Sequence, residues 1–286
     1  LSFGARQERS ETDARDEVYR SVAGFVNSWD ATDHDTYDNN RNNYAYNFGF
    51  EKGVNKNFSF YGNYSESFRI PNIDENIKAT TSGSFHLEDQ ESDGVELGIL
   101  YQNESLNLNA SYYQMDTKNE IQYDQSVNTN LDPIEREGMN IDLNYIIDQK
   151  QKVSASINVT EAEFTGGSLS MGTGTTEFGG VVYYSGNETY GYGTNTAINY
   201  LGSDGTANQS VSLAGRKVPL VPPLTFSIDY DRQIDNSTSF NFGIKYVDEK
   251  YVSNDQENIE PKIPDYYLIN TSLSKSSGAY NYKIGI

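Results

Sequence analysis

Residues 57–76 read NFSFYGNYSESFRIPNIDEN, and the alternation inside them decides the fold. From Phe58 to Phe68 the even positions are Phe58, Phe60, Gly62, Tyr64, Glu66 and Phe68, and the odd ones are Ser59, Tyr61, Asn63, Ser65 and Ser67. A period of two puts these sets on opposite sides of a strand with one apolar and one polar face. The strand stops at Arg69-Ile70-Pro71, because proline donates no ladder hydrogen bond and pushes the preceding residue out of helical space. An acidic polar loop follows, from Arg69 to about Glu88.

The same alternation recurs on either side. Upstream, Leu1, Phe3 and Ala5 form one apolar set and Tyr44, Tyr46, Phe48 and Phe50 another, separated by a polar, Asp-rich loop from about Ser10 to Arg41. Downstream come Val95 to Tyr101, Leu106 to Tyr112, Met139 to Ile147, Val153 to Val159, Leu224 to Tyr230, Phe240 to Tyr246, Tyr267 to Leu273 and Tyr280 to Ile286. Loops are expected at about 124–133 and 253–264, and the longest irregular segment runs from about Phe164 to Gln209. That segment has a hairpin signal, since Val181-Val182-Tyr183-Tyr184 and Thr189-Tyr190-Gly191-Tyr192 flank Ser185-Gly186-Asn187.

This makes eleven strands, joined by connections that alternate short and long. Outer-membrane barrels have short turns on one side and long loops on the other, and soluble sandwiches do not sort so strictly. The second face of nearly every strand is Ser, Asn, Thr, Asp or Gly, which do not belong in a packed soluble core but suit a wet or plugged lumen. The expected fold is all-β, an antiparallel transmembrane β-barrel meander with no helix longer than about two turns. A soluble antiparallel sheet with one solvated side has the same period and stays open.

Mean hydropathy is -0.69 and no run of 18 apolar residues occurs, so no transmembrane helix is available. The 23 Tyr and 13 Phe, against one Trp, fit aromatic girdles at two membrane interfaces. No cysteine means no disulfide, thiolate metal site or cysteine nucleophile. A net charge of -20 speaks against binding nucleic acid, while permitting cationic ligands. The start at Leu1 lacks a Met or a signal segment, and both ends fall inside alternating runs, so residues 1–286 are expected to be one partial barrel domain cut from a longer protein.

Several segments resemble the C-terminal half of the barrel of TonB-dependent outer-membrane receptors. Tyr61 to Pro71 is similar to a strand that reads Tyr-x-x-x-Ser-x-x-Phe-Arg-x-Pro before an extracellular loop. Glu91-Ser92-Asp93-Gly94-Val95-Glu96-Leu97-Gly98 resembles an inward Glu-x-Ser-x-x-x-Glu-x-Gly strand. Asn130 with Glu137-Gly138-Met139-Asn140-Ile141-Asp142-Leu143 resembles an Asn … Gly-hydrophobic-Glu strand, with Asn140 or Asp142 where glutamate is usual. Val218 to Pro223 resembles the proline-marked approach to a strand after a long loop. The resemblance implies 22 strands, about half of them here as numbers 11 to 21, with a plug domain absent from this sequence. It further implies a receptor in the cell outer membrane of a Gram-negative bacterium, surrounded by outer-membrane lipid. Such a receptor takes up a small-molecule nutrient with the TonB-ExbB-ExbD complex acting through the N-terminal plug. Ferric siderophores or similar metal chelates are the commonest cargo, with haem, cobalamin and glycans also in the family.

Candidate sites lie in the long loops. Asp30, Asp33, Asp35 and Asp38 place four carboxylates within nine residues and suit a hard cation, although the spacing is not that of an EF-hand. Trp29, Arg69, His86, Tyr184, Tyr190 and Tyr192 are loop residues able to stack on or pair with a ligand. His34 and His86 are the only histidines, too few for a histidine-based zinc site. The pairs Gly172/Gly174 and Gly191/Gly193 lack the further glycine and helix of a phosphate cradle, no serine sits in a nucleophile elbow, and no cofactor motif is found. The expected role is therefore not enzymatic. A surface-displayed structural or adhesive barrel without transport is the competing function.

Overall fold

The computed structural model describes the chain apart from residues 16–18, 21–27, 30–35, 78–86, 125–126, 172–174, 179–180, 185–188, 193–208 and 254. One eleven-stranded sheet dominates, and its strand order follows the chain. The strands are β1 (Ser2–Arg15), β2 (Thr36–Gly53), β3 (Phe58–Arg69), β4 (Gln90–Gln102), β5 (Leu106–Lys118) and β6 (Ile134–Asp148). They continue as β7 (Gln151–Phe164), β8 (Leu224–Asp235), β9 (Thr238–Val247), β10 (Tyr266–Ser277) and β11 (Tyr280–Gly285). Every pairing is antiparallel, so β1 and β11 run the same way. Each has a single neighbour, and the sheet is unclosed.

The register confirms the two faces. Phe48 lies opposite Tyr64, Tyr64 opposite Val95, Leu97 opposite Tyr112, Tyr112 opposite Met139, Met139 opposite Val159 and Val159 opposite Leu224. Apolar residues thus meet apolar residues from strand to strand, and a slip of one residue would send Asn, Asp and Ser to their face. These side chains are exposed, with Leu97 at 58% and Ile269 at 61%, whereas Phe164 and Leu213 at the loop end are fully buried. A soluble protein does not leave so wide an apolar face to water. Lipid is the solvent that this face fits, which removes the soluble-sheet alternative.

The five short connections hold two to four residues (54–57, 103–105, 149–150, 236–237 and 278–279), and the five long ones hold 15 to 59 (16–35, 70–89, 119–133, 165–223 and 248–265). All the short ones share one end of the sheet. Four are closed by the same device, a side-chain oxygen accepting backbone N–H groups just ahead. Asn55 Oδ1 accepts from Asn57 and Phe58, Asn103 Oδ1 from Ser105 and Leu106, Asp148 Oδ1 from Lys150, and Asp235 Oδ1 from Ser237. The fifth uses Gly278, whose φ of 61° is the left-handed conformation glycine tolerates best.

Three details differ from expectation. Ser10–Arg15 and Thr36–Arg41, expected as loop, extend β1 and β2 as a paired ribbon. Apart from the opposed pair Ala14 and Tyr37 they are polar on both faces, so no alternation announced them. The loop expected at 124–133 includes part of a small hairpin, Ile121–Asp124 against Val127–Asn130. The loop after Arg69 contains one short helix, α1 (Ile73–Ile77). The hairpin read from 181–192 is present, with Val182 opposite Tyr190.

Candidate functional site

The long connections build a crown on the rim of the sheet. Its apolar centre is Leu131, Ile134, Ala162, Phe164, Leu213 and Val218, with Val221 packed against it. Ile134, Ala162 and Phe164 occupy the polar-face positions of β6 and β7, so the crown folds over the lumenal side of the rim. Where lumenal positions lower down are Asn and Ser, here they become hydrophobic because loop residues cover them.

Asparagines staple the loops together. Asn130 Oδ1 accepts the Glu88 N–H at 2.7 Å, and its Nδ2 donates to the carbonyls of Asn119 at 2.8 Å and Glu88 at 3.1 Å. Asn128, only 5% exposed, donates to the Glu75 carbonyl at 2.9 Å. Arg41 on β2 pairs with Asp89 and donates to the Leu87 carbonyl at 2.9 Å, while Asn43 Nδ2 donates to Asp89 at 2.7 Å. On the other side, Asn258 Oδ1 accepts the Lys217 N–H at 2.6 Å and its Nδ2 donates to the Lys217 carbonyl at 2.8 Å. The Lys217 ammonium bridges Glu161 and Glu163, and these bonds raise its pKa against the opposing effect of burial. Lys262 donates to Glu249 at 2.7 Å, which raises its pKa, and lies 4.9 Å from the Tyr251 ring centre.

A second feature lies on the lipid side. Just beyond the apolar band, Glu66, Asp93, Asp116, Glu135 and Glu163 stand directly opposite one another across β3 to β7. Like charges in direct cross-strand register repel. Tyrosines at the edge of the band donate to carboxylates, Tyr64 to Glu66 of this belt at 2.6 Å and Tyr112 to Glu137, two residues along β6 from the belt's Glu135, at 2.7 Å. The lumenal face below the crown is polar and hydrogen-bonded, with Glu96 and Asp231 among its Asn and Ser residues. Tyr61 lies over Gly98, where a Cβ would overlap its ring, and donates toward Glu96 at 3.0 Å and Asn109 at 3.2 Å.

The sequence-derived candidates are scattered. Arg69 ends β3 and pairs with Glu75, which with Asn72 forms the reciprocal cap of α1, Asn72 N–H donating to Glu75 and Glu75 N–H to Asn72 Oδ1. Its guanidinium is thus engaged in holding the loop. Trp29 belongs to a two-residue ladder opposite Tyr19. Tyr184, Tyr190 and Tyr192 lie on strands of the loop hairpin rather than in irregular loop. Asp38 is a strand residue of β2, opposite Asp13. His86, His34, Asp30, Asp33 and Asp35 fall outside the described residues, among which no group of three or more metal-binding side chains occurs. Sequence reasoning missed Asn128, Asn258, Arg41 and Lys217, whose partners lie more than 40 positions away in the chain.

The family model described as "TonB dependent receptor-like, beta-barrel" matches residues 1–285. No protein in the curated set matches the sequence. Solved structures match across nearly the whole chain. The ferric-catecholate import receptor Fiu from Escherichia coli K12, in its closed form, has TM-score 0.63 and 16% identity over 99% of this chain and 37% of its own. The siderophore receptor PiuA from Acinetobacter baumannii gives 0.62 and 15%, over 99% and 36%. The ferric yersiniabactin uptake receptor FyuA from Yersinia pestis gives 0.62 and 14%, over 96% and 35%. At such identities the likeness concerns the fold alone, and the chain spans little more than a third of each relative.

Proposed function

The chain belongs to the family of TonB-dependent receptor-like β-barrels, located in the outer membrane, and from that premise we propose that the intact protein is a receptor for active nutrient uptake. Its cargo is a ferric siderophore or similar metal chelate, bound by the crown of long connections, and TonB-ExbB-ExbD supplies the energy through an N-terminal plug. The observation that carries this reading is the sorting of the sheet: one apolar face, one hydrogen-bonded polar face, and every long connection at one rim. Named siderophore receptors among the structural relatives support the cargo class.

The test is uptake of radiolabelled iron, supplied on a panel of siderophores, by iron-starved cells carrying the full-length protein. At least one chelate is expected to enter, and deleting TonB should reduce its entry to background while surface binding persists. Uptake indifferent to TonB would remove the active-transport reading. Cell adhesion without uptake of any chelate would leave the adhesive barrel.

A further inference from the structure

Each short turn joins two strands into a hairpin whose register the turn itself fixes, so β2 with β3, β4 with β5 and β6 with β7 are aligned locally. The junctions between hairpins have no such guide. Residues 70–89 separate β3 from β4 and residues 119–133 separate β5 from β6, and closing loops of that length costs almost the same whichever residues end up opposite. A slip of one residue would exchange the faces, but a slip of two keeps apolar opposite apolar and polar opposite polar. The two-residue period therefore leaves slips of two undecided at these junctions.

The lumenal face supplies what the period lacks. At the first junction Tyr61 stands directly opposite Gly98, and its ring lies where a Cβ on Gly98 would be. The ring crosses β4, so that its hydroxyl lies 3.2 Å from Asn109 Oδ1 on β5 as well as 3.0 Å from Glu96 Oε1. At the second junction Tyr113 stands directly opposite Gly138, where a Cβ would come within 2.9 Å of its ring. Its hydroxyl lies 2.9 Å from Thr160 Oγ1 on β7, again beyond the strand that holds the glycine. In both cases a ring from one hairpin lies across the first strand of the next and is hydrogen-bonded to the second. Two residues either way, Glu96 and Leu100 beside Gly98, and Arg136 and Asn140 beside Gly138, carry side chains where the ring would lie.

We propose that Tyr61 with Gly98 and Tyr113 with Gly138 are keys that set which residues of successive hairpins meet, and that they are thereby positioning residues for the crown. A slip of two residues displaces one stretch of rim against the next by roughly 7 Å. At the first junction this would carry Asp89 out of reach of Asn43 on β2, which is bonded to it at 2.7 Å when the hairpins are aligned.

Residues 1–286 hold no cysteine, so introduced pairs report register in the full-length receptor once any cysteine elsewhere in it is replaced. Ser67→Cys with Ser92→Cys stand directly opposite and report the aligned state. Ser65→Cys with Ser92→Cys, and Ser59→Cys with Gln102→Cys, become opposite only after a slip of two, one for each direction. Opposed cysteines bridge, whereas diagonal ones about 7–8 Å apart do not. In the wild type the aligned pair alone is expected to cross-link. Tyr61→Ala and Gly98→Val should raise cross-linking of the slipped pairs roughly tenfold relative to the aligned pair, and Tyr61→Phe, which keeps the ring, should raise it much less. Cross-links are scored on all membrane-inserted chains, so a variant that inserts without completing its barrel is also read, and Tyr61→Ala, which blocks nothing, serves if Gly98→Val does not insert. Tyr61→Ala chains cross-linked through the aligned pair alone would overturn the proposal, whether or not their thermal midpoint falls, because the ring would then contribute stability without setting register.

Discussion

The wall of the sheet and the crown on its rim are made by different physics. In the wall, each strand is fixed by its neighbours' backbones and by a two-residue period. Side chains there need only be apolar on one side and small or polar on the other. In the crown, backbone ladders run out and amide side chains take their place, with Asn128, Asn130 and Asn258 bonding carbonyls and N–H groups far away in sequence. A wall of this kind tolerates exchange within a class of residue, whereas a crown depends on single side chains.

The largest expected effect breaks the wall. Phe242 faces lipid and its neighbour Asn241 faces the lumen, where it bonds Asp231. Phe242→Arg should cost about 2–4 kcal/mol if it lies near the bilayer midplane and should sharply reduce assembled barrel in the outer membrane. Asn241→Arg, next to Asp231, should assemble nearly normally. Equal loss of heat-modifiable barrel for both would contradict the assignment of faces.

A smaller effect is confined to the crown. Asn130→Ala removes three hydrogen bonds and should cost about 1–3 kcal/mol locally. Amide exchange at Glu88 should quicken while protection of β5 and β6 stays as it was, because local opening need not involve the wall. Slowed assembly of the whole barrel would mean that the two regions are coupled.

The smallest effect is a pH dependence at Asp132, whose carboxyl pKa burial raises and against which Gly167 packs so closely that a Cβ there would overlap it. A carboxyl that binds its proton more tightly when folded favours the crown at low pH. That contribution is lost as pH rises from the ordinary carboxylate range through the raised value. Asp132→Asn should therefore stabilise the crown slightly at neutral pH, and thermal midpoints measured at pH 7 and pH 4 should show the gain shrinking on acidification.

The comparison also explains what was legible in the sequence. Phe58 to Phe68 revealed a strand, and the same period revealed ten more in their correct order, because lipid on one side and a wet lumen on the other impose opposite demands on alternate residues. Ser10–Arg15 and Thr36–Arg41 were hidden because, Ala14 and Tyr37 apart, both their faces are polar, so no period distinguishes strand from loop. Arg69 was visible as a cation beside a loop, but its pairing with Glu75 depends on the turn of α1. Asn130 bonds Glu88 across 42 positions, a distance no local pattern encodes.

The belt of Glu66, Asp93, Asp116, Glu135 and Glu163 bears on the order of assembly. Bringing these carboxylates into register does electrostatic work, whereas the Asx-closed turns at the opposite end bring their strands together over two to four residues at little entropic cost. Pairing is therefore expected to start at the short turns and travel toward the belt, so that the rim bearing the crown zips last and, at low ionic strength, most slowly.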